Sequence, residues 1–402
     1  MSINRLVFWR ARAVVLACLG LAVLPAAADD SPLELRGFGT LGLARSSSNQ
    51  ADYLRDLSQP DGSRGQWSSN LDSLLGFQAN YRLSRRVETV VQIDSRYRYD
   101  GSYRPELSWA YAKFDPTPDL SVRVGRLGTE FYLLADSRLV GYSYLTVRPS
   151  VDYFDDLPFY NIDGFDVQAT HPLGDGLVKG KLFAGRSHET VPFEAGLDWN
   201  LRGSPMSGGY LDYLNGPWQW RLGYAQIRFN QELPLNAAFD TLNYYGFQNV
   251  VHSLGVYGKT ARYLSVGATY DSGPWQLQLM LSRTRQSDIY ENGHAGHFLA
   301  GYRTGAFTPY LGYSWWKTTA NTVDAALPSP LSQQVAMAMA GTHSDQRTDT
   351  LGVRWDFRED MALKAQWDRV RGTPSSIFPV RAEKLDWDGN TNVLSLTLDF
   401  VF

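Results

Sequence analysis

The chain of 402 residues holds one cysteine, Cys18, and it lies within the first 28 residues. Past that point no thiol remains, which excludes disulfides and thiolate chemistry. No apolar run reaches the roughly 20 residues that a membrane-spanning helix needs. No block of Lys or Arg offers the electrostatic footprint that nucleic acid would require. No G-x-S-x-G motif occurs, and the adjacent pair Ser187-His188 would point to opposite faces of a strand. His294-x-x-His297 has no third ligand nearby in sequence, so a solvated loop is a better reading than a metal site. No metal or cofactor site is therefore expected.

What is present points elsewhere. The chain has 23 Tyr, 19 Phe, 12 Trp and 36 Gly, with a mean hydropathy of −0.30. Aromatic-rich, glycine-rich and only moderately apolar composition suits a transmembrane β-barrel, because half of every strand faces a wet interior. The first 28 residues read as a cleavable signal peptide. Arg5, Arg10 and Arg12 form its basic region, Ala13 to Leu24 its apolar region, and Ala26-Ala27-Ala28 its cleavage signal. Removing those three arginines from 38 Lys+Arg leaves 35 against 41 Asp+Glu, a net charge of about −6. Residues 29–402 are expected to form one barrel domain.

Period-2 alternation is the main structural signal. Leu71, Ser73, Leu75, Phe77, Ala79 and Tyr81 share one face, while Asp72, Gln78, Asn80 and Arg82 share the other. Val87, Thr89, Val91 and Ile93 oppose Glu88, Gln92, Asp94 and Arg96. Leu394, Leu396, Leu398, Phe400 and Phe402 alternate with Ser395, Thr397, Asp399 and Val401. Seven short turns rich in Gly, Pro, Asp and Asn alternate with eight longer segments, which predicts sixteen strands. The expected strands are 33–45, 71–82, 86–98, 105–115, 119–127, 162–171, 177–187, 206–214, 217–230, 260–271, 274–286, 294–304, 306–318, 347–358, 360–370 and 391–402. Trp109/Tyr111, Trp218/Trp220, Trp275, Tyr310/Tyr313/Trp315 and Trp387 are expected to form aromatic girdles at the two interfaces.

Sixteen strands, a terminal Phe402 and an unusually long third loop together resemble the Gram-negative outer-membrane porins, over essentially the whole mature chain. The most specific parts are the last strand, LSLTLDFVF, and the block ELSWAYAKFDPTPDLSVRVGRL leading through Gly125-Arg126 into loop three. The resemblance implies an all-β, antiparallel transmembrane barrel in the outer membrane, with loop three folded into the lumen as a constriction. It also implies a homotrimer in contact with the lipid bilayer and lipopolysaccharide, and passage of small hydrophilic solutes. Leu396, Leu398, Phe400 and Phe402 match the family's recognition signal for the barrel-assembly machinery. The third loop lacks the PEFGG-like motif of the enterobacterial general porins.

A diffusion pore works through opposed rows of charge at its narrowest section. The inward parity places Arg36, Arg82, Arg96, Arg98, Arg123, Lys179, Lys181, Arg221, Arg354 and Lys364 on the lumen wall, with Arg126 at the step into loop three. Loop three supplies Glu130, Asp136, Asp152, Asp155, Asp156 and Asp163. The expected constriction sets Arg36, Arg82, Arg96, Arg98, Arg123 and Arg126 against the acids Glu130, Asp136, Asp152, Asp155 and Asp156. The loop aromatics, Phe131, Tyr132, Tyr142, Tyr144, Tyr153, Phe154, Phe159 and Tyr160, either form a stacking surface for solutes or pack the loop against the wall. A general pore and a solute-selective channel both fit these residues.

Overall fold

The structure, a computed structural model, describes residues 31–154, 159–193, 197–286, 292–319, 327–329, 331–333, 335, 343–373 and 387–402. The expected leader and the pair Asp155 and Asp156 lie outside the described residues.

Sixteen long strands run in sequence order. They are β1 (Leu33–Ser46), β2 (Leu74–Arg82), β3 (Val87–Arg96), β4 (Glu106–Thr117), β5 (Leu120–Gly128), β6 (Asn161–Leu173), β7 (Gly176–Ser187) and β8 (Pro205–Asn215). The second half comprises β9 (Trp218–Arg228), β10 (Thr260–Ser272), β11 (Trp275–Gln286), β12 (Gly293–Tyr302), β13 (Phe307–Thr318), β14 (Asp345–Arg358), β15 (Met361–Arg371) and β16 (Asn390–Val401). Each pairs antiparallel with its sequence neighbours, and β1 also pairs with β16 from Phe38↔Val401 to Ser46↔Val393. That last pairing closes the barrel and leaves no sheet edge.

Alternation decides which side chains face out. On β9 to β11, Leu222, Tyr224, Leu264, Val266, Leu279 and Leu281 are exposed, while Arg221, Ala225, Tyr263, Ser265 and Met280 between them are buried. Leu182 on β7 is 72% exposed, in keeping with the apolar outer wall of a membrane barrel. The inner face carries the polar and charged residues Thr40, Asp94, Asp166, Lys181, Asp212, Lys364 and Asp399, all buried.

The short turns fall where expected. Gly216, between β8 and β9, takes φ +55°, a left-handed conformation that favours glycine. Beside these turns Trp218 stacks on Trp220 at 5.3 Å, Trp275 meets Tyr302 at 5.0 Å, and Phe307 lies over Trp355 at 5.6 Å. This is an aromatic girdle at the short-turn end. Trp109, Tyr111, Tyr310 and Trp387 do not belong to a girdle. Trp109, Tyr111 and Tyr310 take inward parity on β4 and β13, and Trp387 packs with Ala44, Tyr53 and Val393. At the closure seam the Phe402 ring lies over Gly37, at the place a side chain would fill, and meets Phe77 edge-on at 5.7 Å. Phe402 is thus fixed in the wall by packing as well as by pairing.

The longer segments carry their own structure. A short hairpin of Thr190–Pro192 and Asp198–Asn200 lies between β7 and β8. Two helices, α2 (Asn236–Tyr244) and α3 (Gln248–Leu254), lie between β9 and β10. The helix α1 (Val151–Phe154) belongs to the third long connection.

Candidate functional site

The connection between β5 and β6 spans residues 129–160. It bonds to inward-facing residues around most of the circumference. On β9 and β10, Arg221 Nη1 donates to Tyr132 O at 2.8 Å and Ser265 Oγ to Phe131 O at 3.0 Å. On β13 and β14, Ser314 Oγ and Gln346 Nε2 each donate to Asp152 at 2.5 Å. Arg354 Nη1 donates to Tyr142 O and Tyr144 O at 2.7 and 2.9 Å. On β15, Lys364 Nζ donates to Gly141 O and Thr146 O at 2.7 and 2.9 Å. Backbone carbonyls of an irregular segment inside a barrel need donors, and the wall provides them.

Space for the segment is built into the wall. A Cβ added to Gly223 would come within 1.7 Å of Phe131 O, so only glycine lets the loop backbone seat there. Around that point Phe131, Tyr132, Leu133, Tyr153 and Phe154 are buried against Phe183, Ile227, Tyr263 and Met280 of the inner wall. Of the two readings of the loop aromatics, packing against the wall is the one these contacts support.

Three charge clusters join loop and wall. In the first, Glu130 accepts from Lys181 Nζ at 2.5 Å and Arg123 Nη2 at 2.8 Å, and Arg123 also grips Asp166. Burial would raise the Glu130 carboxyl, but Lys181 and Arg123 outweigh it and hold it at about 2. In the second, Arg96 and Arg138 lie over the Tyr160 ring at 3.9 and 4.2 Å, and the Tyr160 hydroxyl donates to Asp56. Asp56 is likewise buried, and Arg138 and Arg96 hold it at about 2. In the third, Arg148 donates to Asp72 at 2.6 and 2.8 Å and to Ser395 Oγ at 2.7 Å, with Asp368 at 3.5 Å.

Asp152 is different. It is buried with hydroxyl and amide donors and no cation in the ion pairs of the described residues, and burial raises its carboxyl. Beside Arg148, Ser314 and Asp368 lies a cavity of about 20 Å³, room for about one water. His297 and Ser150 line it, and their Nδ1 and Oγ are buried without a partner among the described residues.

The structure brings some of the expected residues together and separates others. Arg123 and Glu130 meet inside the barrel, while Arg96 and Asp152 are buried there apart from them, Arg96 over Tyr160 and Asp152 with Ser314 and Gln346. Arg98 is buried just beyond β3, paired with Glu106. Arg36 sits exposed near the start of β1, bonded to Glu34 at 2.6 Å. Arg82 ends β2 beside a short turn and is exposed. Asp136 is exposed.

Arg126 and Asp163 bond at 2.7 and 2.9 Å, but on the outward face: Arg126 is three residues from the inward Arg123 and pairs across from Ala110. Three positions along a strand reverse the face. The same parity separates His294, exposed, from the buried His297.

Sequence reasoning missed the cations of loop three itself, Arg138 and Arg148, and the wall acids that receive them. Asp72 and Asp368, which receive Arg148, lie at inward parity, so alternation marked them; Asp56, 3.8 Å from Arg138, lies in the first long connection. Nothing in the loop's sequence marks which of its residues turn toward them.

Comparison with known proteins follows the fold. No protein-family model matches the chain, and no curated protein matches it. Among solved structures it is similar to Salmonella typhi OmpF in complex with daunomycin, with a TM-score of 0.59 and 12% identity over 92% of this chain and 97% of that one. It is similar to an anion-selective porin from Comamonas acidovorans, at 0.53 and 15% over 92% and 99%. A trimer form of OmpT, an outer membrane protein of Vibrio cholerae folded in vitro, gives 0.53 and 14% over 93% and 100%. The chain has the sixteen-strand fold of these outer-membrane porins.

Proposed function

We propose that this chain is an outer-membrane porin, a water-filled channel for passive diffusion of small hydrophilic solutes and ions. The observation that carries this reading is the division of the barrel into an apolar exterior and a charged interior that holds loop three by its backbone carbonyls. Charges opposed across a narrow section would orient a dipolar solute and disfavour an apolar one. Arg96, Arg123 and Lys181 on the wall, with Glu130 and Asp152 on the loop, are the residues we assign to that section.

The loop's wide contact favours a second form of the same reading, a solute-selective channel, since less lumen is left for water than in an empty cylinder. A catalytic role finds little support: His188 faces outward, 3.6 Å from Asp163, while Ser187 is buried on the inner side. We further propose export with cleavage after Ala28, one mature barrel domain from 29 to 402, and assembly through the Leu396, Leu398, Phe400 and Phe402 signal. A homotrimer is proposed as well, and the likeness to a trimeric outer membrane protein supports it.

Planar-bilayer recording of the folded protein in a salt gradient tests the proposal. Discrete conductance steps with a defined reversal potential are expected. Folded protein that inserts and gives no steps would refute it.

A further inference from the structure

Connecting segments ordinarily run over a protein's surface. The connection between β1 and β2, residues 47–73, turns into the barrel instead. Ala51, Tyr53, Leu54, Asp56, Ser58 and Ser63 are each 5% exposed or less. Tyr53 packs with Ala44, Val370 and Val393, inner-wall residues of β1, β15 and β16, and with Val151 of loop three. Tyr53 and Ser63 exchange backbone hydrogen bonds at 2.9 and 3.0 Å, which closes residues 54–62 into a lobe. A Cβ on Gly62 would come within 1.9 Å of Tyr53 O, so glycine is what lets the lobe close.

The lobe meets loop three through polar groups. Asp56 accepts from the Tyr160 hydroxyl and lies 3.8 Å from Arg138, and Arg55 Nη2 donates to Arg138 O at 3.2 Å. On the wall side, Arg96 Nη1 donates to Ser58 Oγ at 3.0 Å, and Ser58 Oγ donates to Asp56 at 2.5 Å. The Tyr97 hydroxyl donates to Asp61 at 2.6 Å. Loop three has separate anchors, because its carbonyls take donors from Arg221, Arg354 and Lys364 on β9, β14 and β15. The lobe can therefore swing away without unseating the loop beneath it.

We infer that the lobe of residues 54–62 is a second constriction element, lying against loop three and latched to it by Asp56, whose release widens the passage while loop three keeps its seat. The word passage rests on the porin reading above. A segment closed on itself by one bridge, with a polar tip, suits motion as a unit about that bridge.

The test joins thiol accessibility to conductance. After residue 18 the chain has no cysteine. Leu54→Cys, at a position 1% exposed, thus places a single reporter in the lobe and outside the latch. In folded protein it is expected to react slowly with a charged methanethiosulfonate, followed by intact mass. Adding Asp56→Asn or Arg138→Gln is expected to speed the reaction about tenfold or more, as hydrogen bonds to charged groups are lost. The two together should add little to either alone, since both release one latch. Replacing residues 54–62 by Gly-Gly is expected to raise the single-channel conductance with heat-shifted gel mobility retained. If that deletion does not fold, Asp56→Asn carries the conductance test, with more frequent visits to a larger open level expected. Equal reaction rates in every background would overturn the inference, as would wild-type conductance in the folded deletion or, failing that, in Asp56→Asn. The mass readout needs no current, so failure of the latch and failure of the porin reading are told apart.

Discussion

At the scale of single residues, parity sorts charges that sequence distance alone would group. Arg123 and Arg126 lie three positions apart and were both expected at the constriction, yet only Arg123 faces the interior. Lys179 also faces inward, half-buried over Tyr210 at 5.7 Å. A charge acts on permeating ions only where solvent and low-dielectric walls let its field reach them. Arg126→Glu is therefore expected to leave the reversal potential in a salt gradient unchanged, whereas Lys179→Glu should move it toward cation preference. Equal shifts from the two variants would contradict the assigned faces. The Arg126 placement was legible in the sequence, because Val122 and Val124 fix the outward phase and position 126 continues it. Arg138 and Arg148 were not legible. A loop has no period, so its sequence says that a cation is present and not which wall it meets.

At the scale of elements, strands and third loop are specified by different means. Strand positions follow from alternation and turn chemistry, and β1 to β16 match the expected spans to within a few residues. The loop's seat follows from three-dimensional complementarity: the space above Gly223, the carbonyls facing Arg221, Arg354 and Lys364, and the clasp of Arg148 on Asp72 and Asp368. None of these pairs is close in sequence, which is why only the loop's length announced it. The Arg148 clasp is buried at both ends. Removing one partner of such a pair leaves an uncompensated buried charge, at a cost of about 3–5 kcal/mol. Arg148→Ala should therefore loosen the middle of loop three against β15 and β16. Single-channel records are expected to become noisier with a larger mean conductance, and protease should cut the loop faster. A quiet channel of unchanged conductance would mean that the other contacts hold the loop without Arg148.

At the scale of the whole molecule, the loop clusters couple stability to pH with opposite signs. Glu130 and Asp56 are held at about 2, well below the roughly 4 of unfolded carboxylates. A depressed carboxyl contributes stability that is fully present above the unfolded value and is lost as pH falls through the folded one. A depression of this size corresponds to about 2–3 kcal/mol for each group. Asp152 and Glu189 run the other way: burial raises both, so the native state holds their protons longer, and their contribution is lost as pH rises. Glu189 is tied to the loop by the Tyr160 and Asn161 amides at 3.0 and 3.2 Å. The two pairs thus bracket a window. Descending from neutral pH, the urea midpoint for unfolding from lipid vesicles should first hold or rise as Asp152 and Glu189 take up protons. Below about 4 it should fall as Glu130 and Asp56 begin to lose their cation partners' advantage. Replacing Glu130 and Asp56 by Gln and Asn should lower the neutral-pH midpoint and flatten the acid limb. A midpoint that declines steadily from pH 7 in wild type, with the same slope in the double variant, would show that these clusters do not govern the acid response.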